Sequence, residues 1–395
     1  MVHTRFIRIL VSLVVGVVVG GVLTAPADAA PQGTAPSPAC AWEMRNKPGE
    51  LNLGFPETNA TYWVQPYTLG SGDWIELHGT YPAARYFSIN SYGLNFTAAN
   101  WLHDTQIHPD AGSRNPYSGE GSGPGRRWTM RVVRDNRRAD PARNEIAAPA
   151  VGLLIQRVYV PTDPFSPNGG APLPTVTFHV GGGSTTLQPC ADSYASTGLL
   201  GGLVTAGVTV PLIGAANAAF PGTIPEARFV NPATTDGLLA NGEGRYLGAI
   251  VSYRPGRVVV IRGKAPSFGM GKDVRYWSMC TNDRVPPYPV TYCAPDHRTR
   301  LDSDGYYTYV VAAPAEARAA ARPGVTIIPW GSTAVPQHVL VYREMLPNGS
   351  YYPRSVMASQ ARGTNPAVSM GAGFPRATYC DADVVRTRGA KACYG

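Results

Sequence analysis

The segment WLHDTQIHPDAGSRNPY, Trp101–Tyr117, holds the densest set of reactive side chains in this chain: His103, Asp104, His108 and Asp110. Imidazole and carboxylate groups ligate divalent cations and relay protons near neutral pH. A histidine spacing of five does not place both rings on one face of a helix or strand, so only a loop with its own fold would converge them. The same residues also admit a plain structural reading. Pro109-Asp110 recurs as Pro295-Asp296 without the two preceding histidines, as expected of a duplicated turn in which Asp110 and Asp296 accept backbone N–H groups.

Arginines form a second set. Arg85 corresponds to Arg275 and Arg157 to Arg343, each inside an apolar run. A strand arginine can grip an anionic ligand through its planar donor fork, or pair with a carboxylate of its own module, for which Glu76 and Glu344 are available. Together with neighbouring aromatics, the candidate ligand-binding residues are Arg85, Tyr86, Trp101, Arg275 and Tyr276. Among 21 Tyr and 7 Trp, further aromatics in or beside predicted loops are Trp63, Tyr67, Tyr117, Trp128, Tyr288 and Tyr292, which could offer a strip to sugars or apolar molecules. No G-x-S-x-G frames a serine and no H-E-x-x-H occurs, so a nucleophile elbow and a helical zinc-protease site are absent.

The elements that position these groups are written twice. Tyr62–Pro82 aligns with Tyr246–Pro266 without a gap, matching the tyrosine, Gly72 with Gly256, Gly79 with Gly263, and the final proline. Arg85-Tyr86-Phe87-Ser88 then meets Arg275-Tyr276-Trp277-Ser278, and LLIQRVYVP (Leu153–Pro161) resembles VLVYREMLP (Val339–Pro347). Within each copy apolar residues alternate in short runs bounded by Gly, Pro and Asn, the signature of strands. The expected fold is all-β: two tandem antiparallel β-sandwich or jelly-roll-like domains from an internal duplication. Short helices begin at Pro141 and Pro314, where proline suits a first helical position.

The first 29 residues carry Arg5 and Arg8, an apolar run and small residues around Ala27-Asp28-Ala29, the layout of a secretory signal peptide. The expected organisation continues with a first β-domain over 40–190, an apolar Gly/Ala-rich connector over 191–240, a second β-domain over 241–357 and a loop-rich C-terminal extension over 358–395. The uncharged stretch 198–220 is read as a buried or lid-like connector because Pro211 and its glycines weaken a membrane helix, so no stable span is expected after signal cleavage. Six cysteines in an exported chain read as disulfides. Cys280 and Cys293, like Cys380 and Cys393, are near neighbours, which leaves Cys40 for Cys190. A formal charge of +8 without clustered Lys/Arg gives nucleic-acid binding little support.

The second half, with VRYWSMCTND, DSDGYYTYVV and TIIPWGSTAVPQHVLVYREMLP, resembles the C-terminal β-rich module of a widespread bacterial envelope family of unassigned function. Ile328-Pro329-Trp330-Gly331 stands where that family has Trp-Leu-Pro. The first half is similar to a more divergent copy, as in uncharacterised exported actinobacterial proteins. The resemblance implies a jelly-roll-like fold and brings no catalytic residues. The expected function is non-catalytic binding of a cell-envelope component, a glycan or a small apolar ligand, with no cofactor. The alternative is a secreted hydrolase or metal-dependent enzyme using a divalent metal at His103–Asp110.

Overall fold

The computed structural model describes residues 40–135, 138–191 and 211–394. The signal-peptide expectation and the first part of the uncharged connector lie outside the described residues. The described residues form one compact unit. The alternating runs of the first copy become β1 (Met44–Asn46), β2 (Ala60–Thr68), β3 (Trp74–Thr80), β4 (Ala84–Gly93) and β5 (Ala98–His103). They continue as β6 (Arg127–Arg134), β7 (Glu145–Ala148), β8 (Val151–Pro161), β9 (Thr175–Val180) and β10 (Gly183–Leu187). Two sheets result, ordered β1-β2-β8-β4-β5 and β10-β9-β3-β6-β7.

The second copy supplies β11 (Gly244–Ser252), β12 (Arg257–Lys264), β13 (Tyr276–Asp283) and β14 (Val290–Pro295), then β15 (Tyr306–Ala312), β16 (Thr326–Pro329), β17 (Gln337–Met345) and β18 (Arg376–Asp381). Its sheets run β11-β17-β13-β14 and β16-β15-β12-β18. The duplication is therefore one of topology: β2-β8-β4-β5 repeats as β11-β17-β13-β14, and β9-β3-β6-β7 as β18-β12-β15-β16. Strand β18 corrects the expected boundary, because the C-terminal stretch read as loop-rich closes the second sandwich and adds short helices at Val356–Ala361, Pro366–Met370 and Ala382–Arg388. Pairing is antiparallel except for β6 with β7 and β15 with β16. A parallel return needs a crossover, and the proline-led segments Pro141–Arg143 and Pro314–Ala320 provide it.

Each sandwich buries the inward set of both its sheets: Phe87, Ile89, Leu154 and Val158 with Ile75, Leu77 and Met130 in the first, Trp277, Met279 and Leu340 with Val259, Ile261 and Tyr309 in the second. The two matched glycine pairs serve different needs. A Cβ on Gly79 would lie 2.1 Å from the Trp128 ring, and one on Gly263 2.3 Å from the Tyr307 hydroxyl, so both copies need a bare backbone under a cross-strand aromatic. Gly72 and Gly256 instead sit in tight turns at φ +85° and +72°, which L side chains rarely adopt.

The outer face of β2-β8-β4 packs against the second module. Tyr62, Val64, Tyr86, Tyr92, Ile155 and Tyr159 join Tyr276 and Met345 in one buried cluster. The part of the uncharged connector within the described residues, 211–219, is helical and lays Leu212, Ala216 and Ala219 on the outer face of β11-β17-β13. Among the described residues no helix is long and apolar enough to cross a membrane.

Candidate functional site

The inter-module face is polar at its centre, and this polarity is arranged as two copies of one cross-strand row. In the first module Tyr62, Arg157 and Ser88 lie side by side on β2, β8 and β4. In the second, Tyr246, Arg343 and Ser278 occupy the same places on β11, β17 and β13. Alternation decides their direction: Leu154, Gln156 and Val158 point into the sandwich, so Ile155, Arg157 and Tyr159 point out toward the other module.

The segments that lead into β2 and β11 repeat the same contacts. Arg343 Nη2 donates to the Phe55 carbonyl at 3.3 Å and Arg157 Nη2 to the Leu239 carbonyl at 2.8 Å. Phe55 and Leu239 both have positive φ, 58° and 52°. Two residues on, the Glu57 N–H donates to the Tyr62 hydroxyl and the Asn241 N–H to the Tyr246 hydroxyl. Glu57 and Asn241 are thus equivalent, and here the symmetry breaks. Glu57, fully buried, accepts from Arg343 Nη1 at 2.5 Å and from Ser278 Oγ at 2.6 Å. Asn241 carries no charge, and its side chain meets the Tyr86 hydroxyl instead.

Arg157 consequently forms no ion pair among the described residues. It is 2% exposed, and its Nε and Nη1 have no hydrogen-bond partner. The rings of Tyr62 and Tyr92 lie 5.6 and 5.3 Å from the guanidinium carbon, and cation–π attraction offsets part of its desolvation. Burial raises the phenol pKa values of Tyr62, Tyr92 and Tyr159, so these rings supply no counter-charge near neutrality. Glu243 lies in the same interface, but burial pushes its carboxyl pKa up, and neither oxygen has a hydrogen-bond partner.

A cavity of about 90 Å³ opens between the two rows. Arg157, Arg343, Tyr62, Tyr159 and Tyr246 form its polar side, while Phe55, Val64, Ile155, Leu238 and Val341 contribute apolar wall. Among the described residues its lining holds no histidine, cysteine, lysine or carboxylate, and the polar groups it presents include guanidinium and phenol groups.

The residues expected to bind ligand join the modules instead. Arg275 Nη1 donates to Asp104 at 2.7 Å and to the Arg85 carbonyl at 3.2 Å, and Arg85 pairs with Asp296. The expected intramodular partners, Glu76 and Glu344, are replaced by acids of the other module: Asp296 for Arg85, Asp104 for Arg275, Glu57 for Arg343. Tyr276 packs edge-on to Tyr159, and Tyr86 does the same. Trp101 covers Gly242, where a Cβ would fall 2.2 Å from the indole. None of these five lines the cavity; Arg85 instead faces an open cleft with Tyr117, His297 and Arg298. Trp63, Tyr67 and Trp128 are core residues, because the strands they belong to turn them inward.

The expected metal ligands do not converge. Asp104 is held by Arg275 and the Thr105 N–H, His103 leans on Thr105 and Asp104, His108 pairs with exposed Glu120 at 2.8 Å, and Asp110 accepts from Thr129. Among the described residues the clustered metal-type ligands are Glu57, Cys280 and Cys293, whose sulfurs are joined in a disulfide and so are not thiolates. Register also corrects the match of Asp110 with Asp296. Ser88 faces His103 and Ser278 faces Pro295, so Asp104 is the equivalent of Asp296. Both accept the same two amides, Phe87 with Thr105 and Trp277 with His297.

These features define a two-module, mostly β protein with a small cavity lined by both copies, stapled by Cys40–Cys190, Cys280–Cys293 and Cys380–Cys393. No family model matches the chain, and no curated protein does so. Among solved structures it is similar to an uncharacterised protein from Burkholderia cenocepacia, at TM-score 0.54 and 14% identity over 87% of this chain and 83% of that one. The VPA0106 protein from Vibrio parahaemolyticus aligns at TM-score 0.40 and 11% identity over 82% of this chain and 90% of that one. The first likeness shows a shared fold and nothing of function.

Proposed function

We propose that this chain is an exported, non-catalytic binding protein that holds a small ligand in the cavity between its two modules. The observation that carries the reading is the cavity itself, lined by residues of both copies, with apolar side chains around a few polar groups, the usual make-up of small-molecule sites. Its size argues for a small ligand over an oligosaccharide, since about 90 Å³ is less than the void of roughly 150 Å³ that takes up benzene in an engineered protein core. Three disulfides and the leader-like N-terminus support placement outside the cytoplasm.

Native mass spectrometry of the purified disulfide-intact protein, followed by ligand-detected NMR with a panel of two- to five-carbon acids, amides and alcohols, tests this reading. A retained small molecule or a binding panel member is expected, and Ile155→Phe, which fills the cavity, abolishes the signal. Absence of any bound species with wild type, or equal binding by Ile155→Phe, overturns it.

A further inference from the structure

The broken symmetry of the two arginine rows identifies the ligand's chemical class, an inference that rests on the cavity being a binding site. We infer that the cavity takes a short-chain carboxylate whose head group occupies, on Arg157, the position that Glu57 occupies on Arg343. The two rows agree in their arginine, tyrosine and serine, in the carbonyl that caps each guanidinium, and in the amide that meets each tyrosine hydroxyl. They differ in the acid. Glu57 supplies one carboxylate to Arg343, and Asn241 supplies none to Arg157.

A buried guanidinium with two unpartnered nitrogens is an expensive feature to leave uncompensated. Glu57 meets Arg343 through Nη1 and leaves its Nε without a partner; on Arg157, where Nη2 is held by the Leu239 carbonyl, the free Nη1 marks the same place, and a carboxylate there makes a charge-assisted hydrogen bond. Inorganic anions share that head-group chemistry, but the apolar lining of Val64, Ile155, Leu238 and Val341 favours an anion with a few methylene groups. The 90 Å³ volume limits the tail to a few carbons. Glu243 does not answer the charge: it makes no ion pair with Arg157 among the described residues, and both its oxygens lack partners.

The test uses butyrate, its uncharged isostere butyramide, and inorganic phosphate, each titrated calorimetrically into wild type, Arg157→Met and Asn241→Glu. Butyrate is expected to bind wild type at least tenfold more tightly than butyramide or phosphate. Arg157→Met should weaken butyrate at least tenfold while leaving butyramide unchanged. Asn241→Glu, which supplies the missing carboxylate from within the chain, should abolish butyrate binding without lowering the melting temperature, so loss through misfolding is told apart from loss through occupancy. Butyramide equal to butyrate, or butyrate affinity unchanged in Arg157→Met, overturns the carboxylate class and leaves the cavity reading standing. Phosphate equal to butyrate makes this an inorganic-anion site and overturns the apolar tail. Silence from all three probes with every variant overturns the carboxylate inference, and the wider ligand panel then decides the cavity reading separately.

Discussion

Removing Arg275 should cost the fold more than removing its symmetry mate Arg85, and the difference can be worked from burial. Both guanidinium groups meet a carboxylate that is wholly buried, but the Arg275 side chain is 7% exposed against 19% for Arg85. Arg275→Met leaves Asp104 with the Thr105 N–H at 2.7 Å and longer contacts from the Phe87 N–H and His103 Nδ1, both at 3.4 Å. A buried charge stripped of its partner typically costs about 3–5 kcal/mol. Arg85→Met leaves Asp296 with two shorter amide bonds, 2.6 and 3.1 Å, at a wetter edge, and about 1–2 kcal/mol is expected after discounting for solvent. Paired replacement, Asp104→Leu with Arg275→Met, removes both charges and should cost much less than the two single changes summed. Urea unfolding of the disulfide-intact variants, followed by near-UV circular dichroism, measures all four. Single-variant losses below about 1 kcal/mol at Arg275, or additive behaviour of the pair, would show that the reciprocal ion pairs do not hold the modules together.

Two other consequences concern stability. Burial pushes the Glu344 carboxyl from an ordinary 4.5 up to about 7, against donation from the Val356 N–H and the Tyr351 and Tyr342 hydroxyls. The folded state then keeps a proton that the unfolded chain releases, so this contribution is full below pH 4.5 and is lost as pH rises through about 7. The loss is on the order of 3 kcal/mol, and Glu344→Gln should flatten the urea midpoint across that window; parallel wild-type and variant profiles would refute it. Replacing Cys40 and Cys190 by alanine opens a link across 150 residues, against 13 for each of the other two bridges. Chain-entropy arithmetic gives about 5 kcal/mol for the first and about 3 kcal/mol for each of the others, an order that equilibrium unfolding of the three double-alanine variants checks.

The duplicated strands were legible because period-two patterning and matched glycines are local signals. Gly79 and Gly263 could be aligned without knowing that Trp128 and Tyr307 lie over them. Partner choice was not legible, because it depends on two outer sheet faces meeting, and that brings together residues as far apart as Glu57 and Arg343. One clue was present: β4 reads YFSINSY with aromatics on both alternating sets, which marks a strand buried on both faces. The false pairing of Asp110 with Asp296 came from a shared Pro-Asp dipeptide, a weaker guide than the ladder, which puts Asp104 one residue beyond His103 just as Asp296 follows Pro295.

The arrangement also explains how an uncompensated guanidinium can persist at the middle of an interface. Beside it, Arg85 with Asp296 and Arg275 with Asp104 keep the duplicated pairing in both directions, and Tyr159 packs edge-on to both Tyr86 and Tyr276. Those contacts fix the relation of the two modules without the central row, so a change from acid to amide at the position of Asn241 can leave the interface intact while emptying one partner's place beside Arg157. Binding sites commonly sit where local stability has been given up in this way. A symmetric row, with a carboxylate on each arginine, would be a better cement and would leave an anion nothing to neutralise.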